Sequence, residues 1–387
     1  MAQIPSPFTI GIIGGGQLGR MFIENALKMN VRCAVLENDE NCPAALVAHQ
    51  FVKGALTDET AIRQLAAMSD VLTYEIEHIN TEALLKLEAE GKKIIPSPRI
   101  LQIIQDKGLQ KQFYRNNGIP TADFRLVNQP EEWLFAAESM GVERFAAKLC
   151  KGGYDGKGVA LLSTTQLREG KTVIPFDAPA MIEAFVDCEK ELSVIVARGM
   201  DGSTVSFPVV EMEFDPVANL VTFLFSPAEV EHHIEEQAQQ IAMDAITKLN
   251  GYGLFAVEMM LDKQGQILVN EIAPRPHNSG HQTIEGNFSS QYDQLLRVLL
   301  ELPLGSTDVI LPSAMINVLG GEGFSGTYQM EGIEKILSLP GIYVHLYEKK
   351  ESRPMRKLGH ITVLADTVKD VKEKANFVRN TVKIVQA

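Results

Sequence analysis

The segment GLFAVEMMLDKQGQILVNEIAPRPHNSGHQTIEG, residues 253–286, decides the fold of this chain. Two apolar runs flank the short connection DKQG, which predicts a β-hairpin. Each run carries one carboxylate, Glu258 in the first run and Glu271 in the second. Their distances from the turn predict that they face each other, where like charges destabilise a sheet. We therefore expect a cation between them, and hard oxygen ligands favour Mg²⁺ accompanied by substrate phosphates.

A dense polar run follows the hairpin, and two prolines keep it out of regular structure. Its polar members are Arg275, His277, Asn278, Ser279 and His281. This composition predicts a reaction centre for a phosphorylated or carboxylate substrate. The alternative is a solvated hairpin whose acids pair with Lys263 and Arg275, but the residues that flank both acids are too apolar for an exposed hairpin.

The whole chain has the composition of a globular protein with two or three domains, since it has 387 residues and is 45% hydrophobic. A net charge of −13 argues against general binding to nucleic acid or to an anionic membrane. We find neither a long apolar run nor a signal peptide, so we expect a cytoplasmic protein with no membrane segment. The cysteines lack metal-ligand spacing and are expected to be reduced and mostly buried: Cys33, Cys42, Cys150 and Cys188.

Residues 8–37 read as strand, glycine turn, helix and strand, which predicts a Rossmann-like unit. Gly14, Gly16 and Gly19 have the spacing of a dinucleotide fingerprint, and Glu37 follows about twenty residues later. The start of the helix would hold an anion whatever the ligand is, so the motif does not by itself select NAD. The alternative is a turn that needs glycine only for tight packing.

Strands and helices then alternate to about residue 98, which predicts a mainly parallel sheet. Glu75 and Glu77 end one of these strands, where ligands of open α/β sheets bind. One helix is predicted over 100–117. A strand is predicted over 205–214, and a second helix from Pro227 to Asn250, with His232 and His233 as plain surface residues.

Residues 144–163 predict a strand, a glycine loop and a second strand. Strand alternation places Lys148 on the face opposite Phe145 and Ala147. The loop cannot be a P-loop, because a strand rather than a helix follows it. Its glycines and the neighbouring lysines Lys148, Lys151 and Lys157 favour a phosphate-binding flap over a merely mobile hairpin tip. After Pro303 we predict short strands, a basic segment and a final helix near 368–380.

Several of these motifs resemble the ATP-grasp superfamily, and within it the N5-carboxyaminoimidazole ribonucleotide synthase family. The motifs are AAKLCKGGYDGKG (146–158), VNEIAPRPHNSGHQTIEG (269–286), GIIGGGQLGRM (11–21), TYEIEHI (73–79) and YEKKESRPMRKLGHIT (347–362). The resemblance implies an α/β enzyme of three domains and a homodimer. The domains are a Rossmann-like pre-ATP-grasp domain (1–100), a two-lobed ATP-grasp module (101–305, with its flap lobe at about 120–190) and a small, mostly β C-terminal domain (306–387).

The resemblance also implies an activity, the ATP-dependent carboxylation of 5-aminoimidazole ribonucleotide by bicarbonate in purine biosynthesis. Carboxyphosphate would be the intermediate, and the amine would take its carboxyl group directly or through CO₂. Glu258 and Glu271 would hold Mg²⁺, with Mn²⁺ as a substitute. Arg275 would grip bicarbonate and carboxyphosphate through its planar fork, while His277 and His281 would orient substrate or move a proton.

The remaining site residues are implied in two sets. For ATP they are Lys107, Lys148, Gly153, Tyr154, Asp155, Gly156, Lys157, Gly158, Val159, Glu183, Ala184, Phe185, Val186, Glu191, Asn270 and Glu271. For the ribonucleotide they are Gln17, Leu18, Glu75, Tyr154, Asp155, Asn278, Ser279, Lys349, Arg356 and Lys357. The last three would hold its phosphate.

Five positions depart from the family pattern. Lys107 stands where arginine is usual, Phe214 replaces a histidine near ATP, Gln282 replaces a tryptophan, and Glu348 and Met355 replace glycines.

Three other functions compete with the carboxylase: another ATP-grasp ligase such as a formate-dependent glycinamide ribonucleotide transformylase, a nicotinamide-dependent oxidoreductase, and a catalytically silent nucleotide-binding protein. The intact acids argue against the last.

Overall fold

The computed structural model describes residues 7–152, 158–214 and 221–387. Its first domain is a parallel five-stranded sheet of strand order β3-β2-β1-β4-β5. The predicted alternation of strands and helices is therefore confirmed. Its elements are β1 (Thr9–Ile13), α1 (Gln17–Leu27), β2 (Arg32–Glu37), β3 (Gln50–Lys53), α2 (Glu59–Ala67), β4 (Val71–Tyr74), α3 (Thr81–Ala89) and β5 (Lys93–Ile94).

The helix predicted over 100–117 is wrong as a single element, because the structure has two: α4 (Pro98–Ile104) and α5 (Lys107–Asn116). Asp106 separates them. Its carboxylate accepts hydrogen bonds from the backbone N–H groups of Gly108 and Leu109, at 2.9 and 3.1 Å, and so caps the start of α5. A capping residue has non-helical backbone angles, which ends the continuous helix at this point.

The predicted strand, loop and strand of the flap are present in a four-stranded antiparallel sheet of order β6-β9-β7-β8. The loop Gly153–Lys157 between β7 and β8 lies outside the described residues. The elements of this lobe are β6 (Phe124–Val127), α6 (Glu132–Met140), β7 (Arg144–Leu149), β8 (Val159–Ser163), α7 (Thr164–Arg168) and β9 (Ala180–Ala184).

A larger antiparallel sheet of order β15-β14-β10-β12-β13-β16-β19-β18, with β11 paired to β10, forms the other lobe and continues into the C-terminal region. Its first part comprises β10 (Cys188–Arg198), β11 (Thr204–Ser206), β12 (Val210–Phe214), β13 (Val221–Ser226), α8 (His232–Leu249), β14 (Gly253–Asp262), β15 (Ile267–Ala273), a 3₁₀ turn (Asn278–Gly280), α9 (Thr283–Gly286) and α10 (Gln291–Leu299).

Two element boundaries in this lobe differ from the sequence prediction. The strand predicted over 205–214 is split at Pro208, which has no N–H group to donate to a neighbouring strand. The helix predicted from Pro227 begins at His232, because Ala228 donates its N–H to the Val209 carbonyl at 2.8 Å and stays beside the preceding strand. His232 and His233 are exposed, as predicted.

The C-terminal region continues the large sheet, because β16 pairs with β13 and then with β19. The helix α12 packs on these strands through Val371, Ala375 and Val378, all fully buried. The final helix was predicted correctly. The elements are β16 (Ser313–Leu319), β17 (Tyr328–Glu331), α11 (Ile333–Leu337), β18 (Ile342–Leu346), β19 (Lys357–Leu364), α12 (Val368–Thr381) and β20 (Lys383–Gln386).

The cysteines are free thiols, and all except the half-buried Cys188 are buried, as expected. Within the described ranges, no helix has the length and apolar character needed to cross a membrane.

Candidate active site

The hairpin β14–β15 places Glu258 directly opposite Glu271, so the central prediction from the sequence is confirmed. A β-bulge follows immediately, between Glu258 and Met259. The ammonium of Lys107 donates a hydrogen bond to the Glu271 carboxylate and lowers its pKa, although burial acts in the opposite direction. One cation at this carboxylate pair is thus supplied by the first residue of α5.

Glu258 has the opposite electrostatic environment. Burial raises its pKa, and the negative charges of Glu271 and Glu191 raise it further. Its carboxylate lies 3.4 Å from His277 Nε2. Glu258 and Glu271 are thus adjacent, partly exposed carboxylates, of which Glu258 resists ionisation. A divalent cation would stabilise the charged form of both.

The donor set fits Mg²⁺ that arrives with a nucleotide. Across residues 7–152, 158–214 and 221–387, no cluster of three or more His, Cys, Asp or Glu side chains forms a complete metal cage. Mg²⁺ needs no such cage, because it keeps several waters and commonly takes one or two carboxylates together with substrate phosphates. Glu258 and Glu271, with Asn270 beside them on β15, are the residues that would hold it.

A buried chain of charges connects this hairpin to the flap lobe. Lys148 on β7 donates a hydrogen bond to Asn270 Oδ1 at 3.0 Å and lies 2.7 Å from Glu183 Oε2. The other oxygen of Glu183 accepts a hydrogen bond from Lys111 Nζ at 2.6 Å. Burial opposes ionisation of Glu183, but Lys148 and Lys111 together hold its pKa below the ordinary value. The carboxylate is therefore charged.

Arg275 follows β15 and reaches the first domain. Its Nε lies 2.7 Å from Glu77 Oε1, in an ion pair whose N–H is not aligned for a hydrogen bond, and its Nη1 donates to the Pro276 carbonyl at 3.0 Å. The guanidinium thus lies where the ends of β4 and β15 meet. An anion bound here would contact both domains.

The His277 ring has a defined tautomer in this arrangement. Its Nδ1 accepts a hydrogen bond from the Ser279 backbone N–H at 3.3 Å, so the proton of the neutral ring is on Nε2, which faces Glu258. Burial, then the positive charges of Arg275 and Lys357, lower the pKa of His277 to about 3. Ser279 Oγ lies 2.9 Å from His277 Nδ1 and 2.7 Å from Ser193 Oγ, which fixes the ring. His277 is therefore a neutral donor at physiological pH.

His281 lies behind this group and is only 1% exposed. Its ring packs against Tyr292 and against His360 of β19, with centroids 6.4 and 4.7 Å apart, and His360 in turn stacks on His345 at 4.3 Å. Its Nδ1 lies 3.2 Å from Gln291 Nε2. These contacts join the polar run that follows β15 to the C-terminal strands. They give His281 a structural role in packing. A proton-transfer role for it stays a prediction.

The glycine turn before α1 already holds carboxylates. Glu75 accepts hydrogen bonds from the backbone N–H groups of Gly16 and Gly19, and Glu37 accepts one from Gly15 at 3.1 Å. A Cβ atom on Gly16 would lie 2.7 Å from Glu75 Oε1, so a side chain at this position would displace the carboxylate from its present place. The N–H groups that would bind a dinucleotide pyrophosphate are occupied, which argues against the nicotinamide alternative. Gln17 and Leu18 are the first residues of α1 beside this turn.

The basic segment of the C-terminal region lies close to the same turn. Burial lowers the pKa of Lys349, and Arg356 adds to this effect, whereas Glu75 opposes it. Lys357 begins β19 and lies near enough to lower the pKa of His277. The structure thus gathers the residues predicted to hold the ribonucleotide phosphate around Glu75 and His277, although they come from distant parts of the sequence.

At two of the positions that depart from the family pattern, the backbone conformation explains why glycine is usual there. Glu348 and Met355 have φ angles of 54° and 61°, a left-handed conformation that glycine adopts without strain. Glu348 is also ion-paired with Arg20 at 2.8 Å. Gln282 is buried, and its Oε1 has no hydrogen-bond partner among the described residues. Phe214 ends β12 directly before residues outside the described ranges.

The remaining residues predicted for the nucleotide lie on or beside strands of the two lobes. Phe185 follows β9 and is covered by the Arg144 guanidinium 3.9 Å from its ring centroid. Burial raises the pKa of Glu191, and Lys148 opposes this shift, so the two side chains are close enough to interact. Val159 begins the strand β8 directly after Gly158, and Ala184 ends β9, two residues before Val186. Five predicted ligands lie outside the described residues: Gly153, Tyr154, Asp155, Gly156 and Lys157.

Sequence reasoning missed Lys111 and Gln110. Lys111 is 3% exposed, and Gln110 Oε1 accepts hydrogen bonds from the Ile272 N–H at 3.0 Å and from Tyr114 OH at 2.6 Å. A signal was present, because Lys107 and Lys111 are four residues apart and so share one face of a helix. That face also carries Tyr114.

Three family models match the chain in succession. They are the ribonucleotide synthetase preATP-grasp domain over residues 8–105, the ATP-grasp domain over residues 112–292, and the phosphoribosylaminoimidazole carboxylase C-terminal domain over residues 313–374. The order of the matches follows the order of the three regions described above.

Curated relatives cover most of the chain. An N5-carboxyaminoimidazole ribonucleotide synthase of Brucella melitensis is 39% identical over 92% of this chain and 95% of its own length. Phosphoribosylaminoimidazole carboxylases of Ogataea methanolica and Vigna aconitifolia are both 37% identical. These carboxylases are longer, and the chain spans 69% and 65% of their length.

Solved structures agree in fold. The crystal structure of N5-carboxyaminoimidazole ribonucleotide synthetase from Thermotoga maritima has a TM-score of 0.89 and 41% identity, over 98% of this chain and 100% of that one. The Aspergillus clavatus synthase in complex with ADP and 5-aminoimidazole ribonucleotide has a TM-score of 0.86 and 34% identity, over 97% and 98%.

Proposed function

Because the chain belongs to the N5-carboxyaminoimidazole ribonucleotide synthase family of ATP-grasp ligases, we propose that it carboxylates 5-aminoimidazole ribonucleotide in purine biosynthesis, using ATP and bicarbonate. The observation that carries the proposal is the opposed pair of partly exposed carboxylates, Glu258 and Glu271, which lies between Lys107, Lys148 and Arg275. This arrangement has an anion-binding side chain next to a cation-binding pair, as phosphoryl transfer to bicarbonate requires.

In the first step, a bicarbonate oxygen attacks the γ-phosphorus of ATP and the bond to the β-phosphate oxygen breaks. The products are carboxyphosphate and ADP. Lys148 and the start of β8 would contact the phosphates, while Glu258, Glu271 and Asn270 would hold Mg²⁺, which neutralises phosphate charge during the transfer. Lys107 keeps Glu271 ionised for this purpose.

In the second step, the amine nitrogen of the ribonucleotide attacks the carbonyl carbon of carboxyphosphate, or of CO₂ released from it. Phosphate leaves, and the amine loses one proton. Arg275 would hold the carboxyl oxygens through its planar fork. His277, a neutral donor on Nε2, would orient the carboxyl group, and Glu75 with Lys349, Arg356 and Lys357 would hold the ribonucleotide.

The proposal includes Mg²⁺, or Mn²⁺ in its place, a cytoplasmic location and a homodimer. Light scattering on the purified full chain tests the dimer. A dehydrogenase is not supported, since Glu75 and Glu37 occupy the glycine-turn N–H groups. The carboxylase C-terminal domain match favours the synthase over a transformylase.

The deciding experiment measures phosphate release from Mg-ATP and bicarbonate, with and without 5-aminoimidazole ribonucleotide, while the consumption of that amine is followed. We expect one phosphate for each amine consumed. Glu271→Gln should abolish both, whereas Glu236→Gln on the exposed surface of α8 should change neither. ATP turnover that ignores the amine would identify another acceptor. No turnover at all would refute the proposed function.

A further inference from the structure

Behind Lys148 lies a lysine that the proposed reaction does not use. Lys111 Nζ contacts Glu183 Oε1 at 2.6 Å, Thr121 Oγ1 at 2.5 Å and the Val269 carbonyl at 3.3 Å. An ammonium group has three N–H donors, and these three acceptors match them. The Lys111 side chain is 3% exposed and the Glu183 side chain is 2% exposed, so this pair of side chains is sealed from solvent.

Lys148 shares the same carboxylate from the cleft side. It lies 2.7 Å from Glu183 Oε2, and its side chain is 16% exposed. Its other contact is Asn270 Oδ1 at 3.0 Å, next to Glu271 of the carboxylate pair. One buried carboxylate is therefore bound to two lysines, of which Lys111 is buried and Lys148 is partly exposed.

We propose that Lys111 is a positioning residue for ATP binding: as the permanent counter-ion of Glu183, it lets Lys148 exchange that carboxylate for the ATP phosphates. This inference rests on the proposed function, in which Lys148 contacts the triphosphate. A buried carboxylate without a cation is strongly unfavourable. Without Lys111, the movement of Lys148 toward a phosphate would leave Glu183 unpaired, so Lys148 would remain on Glu183.

The positions of the two lysines in the fold support these separate roles, with Lys111 as the permanent counter-ion and Lys148 as the phosphate contact. Lys111 is carried by α5, whose first residue Lys107 binds Glu271 on β15. Glu183 is carried by β9 and Lys148 by β7, which are paired strands of the flap lobe. Lys111 thus holds its place from outside the flap sheet, whereas Lys148 belongs to that sheet.

The test is the affinity of the folded full chain for Mg-ATP, measured by isothermal titration calorimetry. We expect Lys111→Met to weaken binding at least about tenfold. Because the site itself stays intact, KM for ATP should rise by a similar factor while kcat at saturating ATP falls less than about threefold. Lys111→Arg keeps the charge and should recover most of the affinity.

Removing the carboxylate separates positioning from simple structural support. In the double variant Lys111→Met/Glu183→Gln, the buried carboxylate that would hold Lys148 away from the phosphates is gone. Most of the affinity for Mg-ATP that Lys111→Met loses should therefore return. Lys93→Met removes an ion pair between β5 of the first domain and the exposed Glu301 that follows α10; it is the control for loss of a lysine and should leave the affinity unchanged. Circular dichroism and thermal unfolding establish that each variant is folded.

The inference is overturned if folded Lys111→Met binds Mg-ATP within about twofold of wild type, or if the double variant binds no better than Lys111→Met. Should Lys111→Met fail to fold, the double variant decides, and a loss of tenfold or more in it overturns the inference. Failure of the proposed function has a different signature, in which wild type binds no Mg-ATP or Lys148→Met binds as well as wild type.

Discussion

Arg275 is the residue whose removal should most directly affect the chemistry. Its guanidinium lies at the junction of two domains. Among the described residues, the acidic side chain with which it forms an ion pair is Glu77, which is partly exposed. We expect Arg275→Ala to lower kcat/KM about 10²- to 10³-fold, the usual effect of losing an oxyanion donor. Thermal unfolding should change little, because water can solvate Glu77. Steady-state kinetics and circular dichroism measure both quantities.

Arg275→Lys tests whether the fork geometry matters as well as the charge. Lysine is a point charge without two parallel N–H groups, so it should recover only part of the activity. Arg63→Ala is a control, since this arginine pairs with Glu59 and Glu90 on the first domain. Arg275→Ala that keeps a third or more of wild-type turnover would remove Arg275 from the mechanism.

His277 gives a prediction about protonation. Because burial and neighbouring cations lower its pKa to about 3, we expect its ring to remain neutral from about pH 5 to 8. NMR of the histidine-labelled protein, with His277→Asn to assign the signal, should show no titration in that range. A midpoint between pH 6 and 7 would contradict the neutral donor assigned to it.

The same shift affects stability, with a definite sign. The unfolded ring titrates near pH 6.5, so between about pH 6.5 and 3 the unfolded state binds one more proton than the folded state. The free energy of unfolding contributed by His277 is therefore lost as pH falls, by up to about 1.4 kcal/mol per pH unit. Urea denaturation at pH 6 and pH 5 should show a smaller pH dependence in His277→Asn than in wild type.

At the scale of elements, α5 organises the charges of the site. Lys107 contacts Glu271 and Lys111 contacts Glu183, so one face of this helix serves the hairpin and the flap lobe. Asp106 sets where the helix begins. Asp106→Ala should cost about 1 kcal/mol of stability, the usual value of an N-cap. It should also raise KM for ATP, because without the cap the start of α5, and with it the positions of Lys107 and Lys111, is no longer fixed.

Asp106→Asn is the matched control for the cap. Asparagine caps helices about as well as aspartate, so stability and KM should stay near wild type. Denaturant unfolding and initial-rate kinetics on the three proteins measure the effect. If Asp106→Ala destabilises the protein without changing KM, the position of α5 is not what aligns the lysines.

The elements also show what could be predicted from the sequence. The opposition of Glu258 and Glu271 was predictable, because a short turn fixes hairpin register locally. The pairing of Lys107 with Glu271 and of Lys111 with Glu183 could not be predicted, because it depends on the packing of α5 against strands that are distant in the sequence. Likewise, the glycine turn correctly predicted an anion site, but the anion is Glu75, a side chain from another strand that sequence spacing cannot identify.

On the scale of the whole molecule, the C-terminal region is bound to the ATP-grasp lobe by a continuous sheet rather than by a separate interface. Strand β16 pairs with β13 over four residue pairs, and β19 and β18 extend the same sheet. Contacts with the first domain add to this, through Arg20 with Glu348 and Lys350 with Asn41 at 2.7 Å. The residues of this region that we propose to hold the ribonucleotide are thereby fixed relative to the hairpin.

Deletion of residues 313–387 should consequently prevent folding rather than yield an active ATP-binding core. It would expose the edge of β13 and the buried side chains Phe223 and Phe225, which pack against the C-terminal strands. Deletion of 383–387 is the control, because β20 pairs with β17 in a separate two-stranded sheet and leaves the large sheet intact. We expect the long deletion to aggregate and the short one to unfold cooperatively and keep Mg-ATP binding. A soluble long deletion that binds Mg-ATP would mean that the continuous sheet is not required for the nucleotide site.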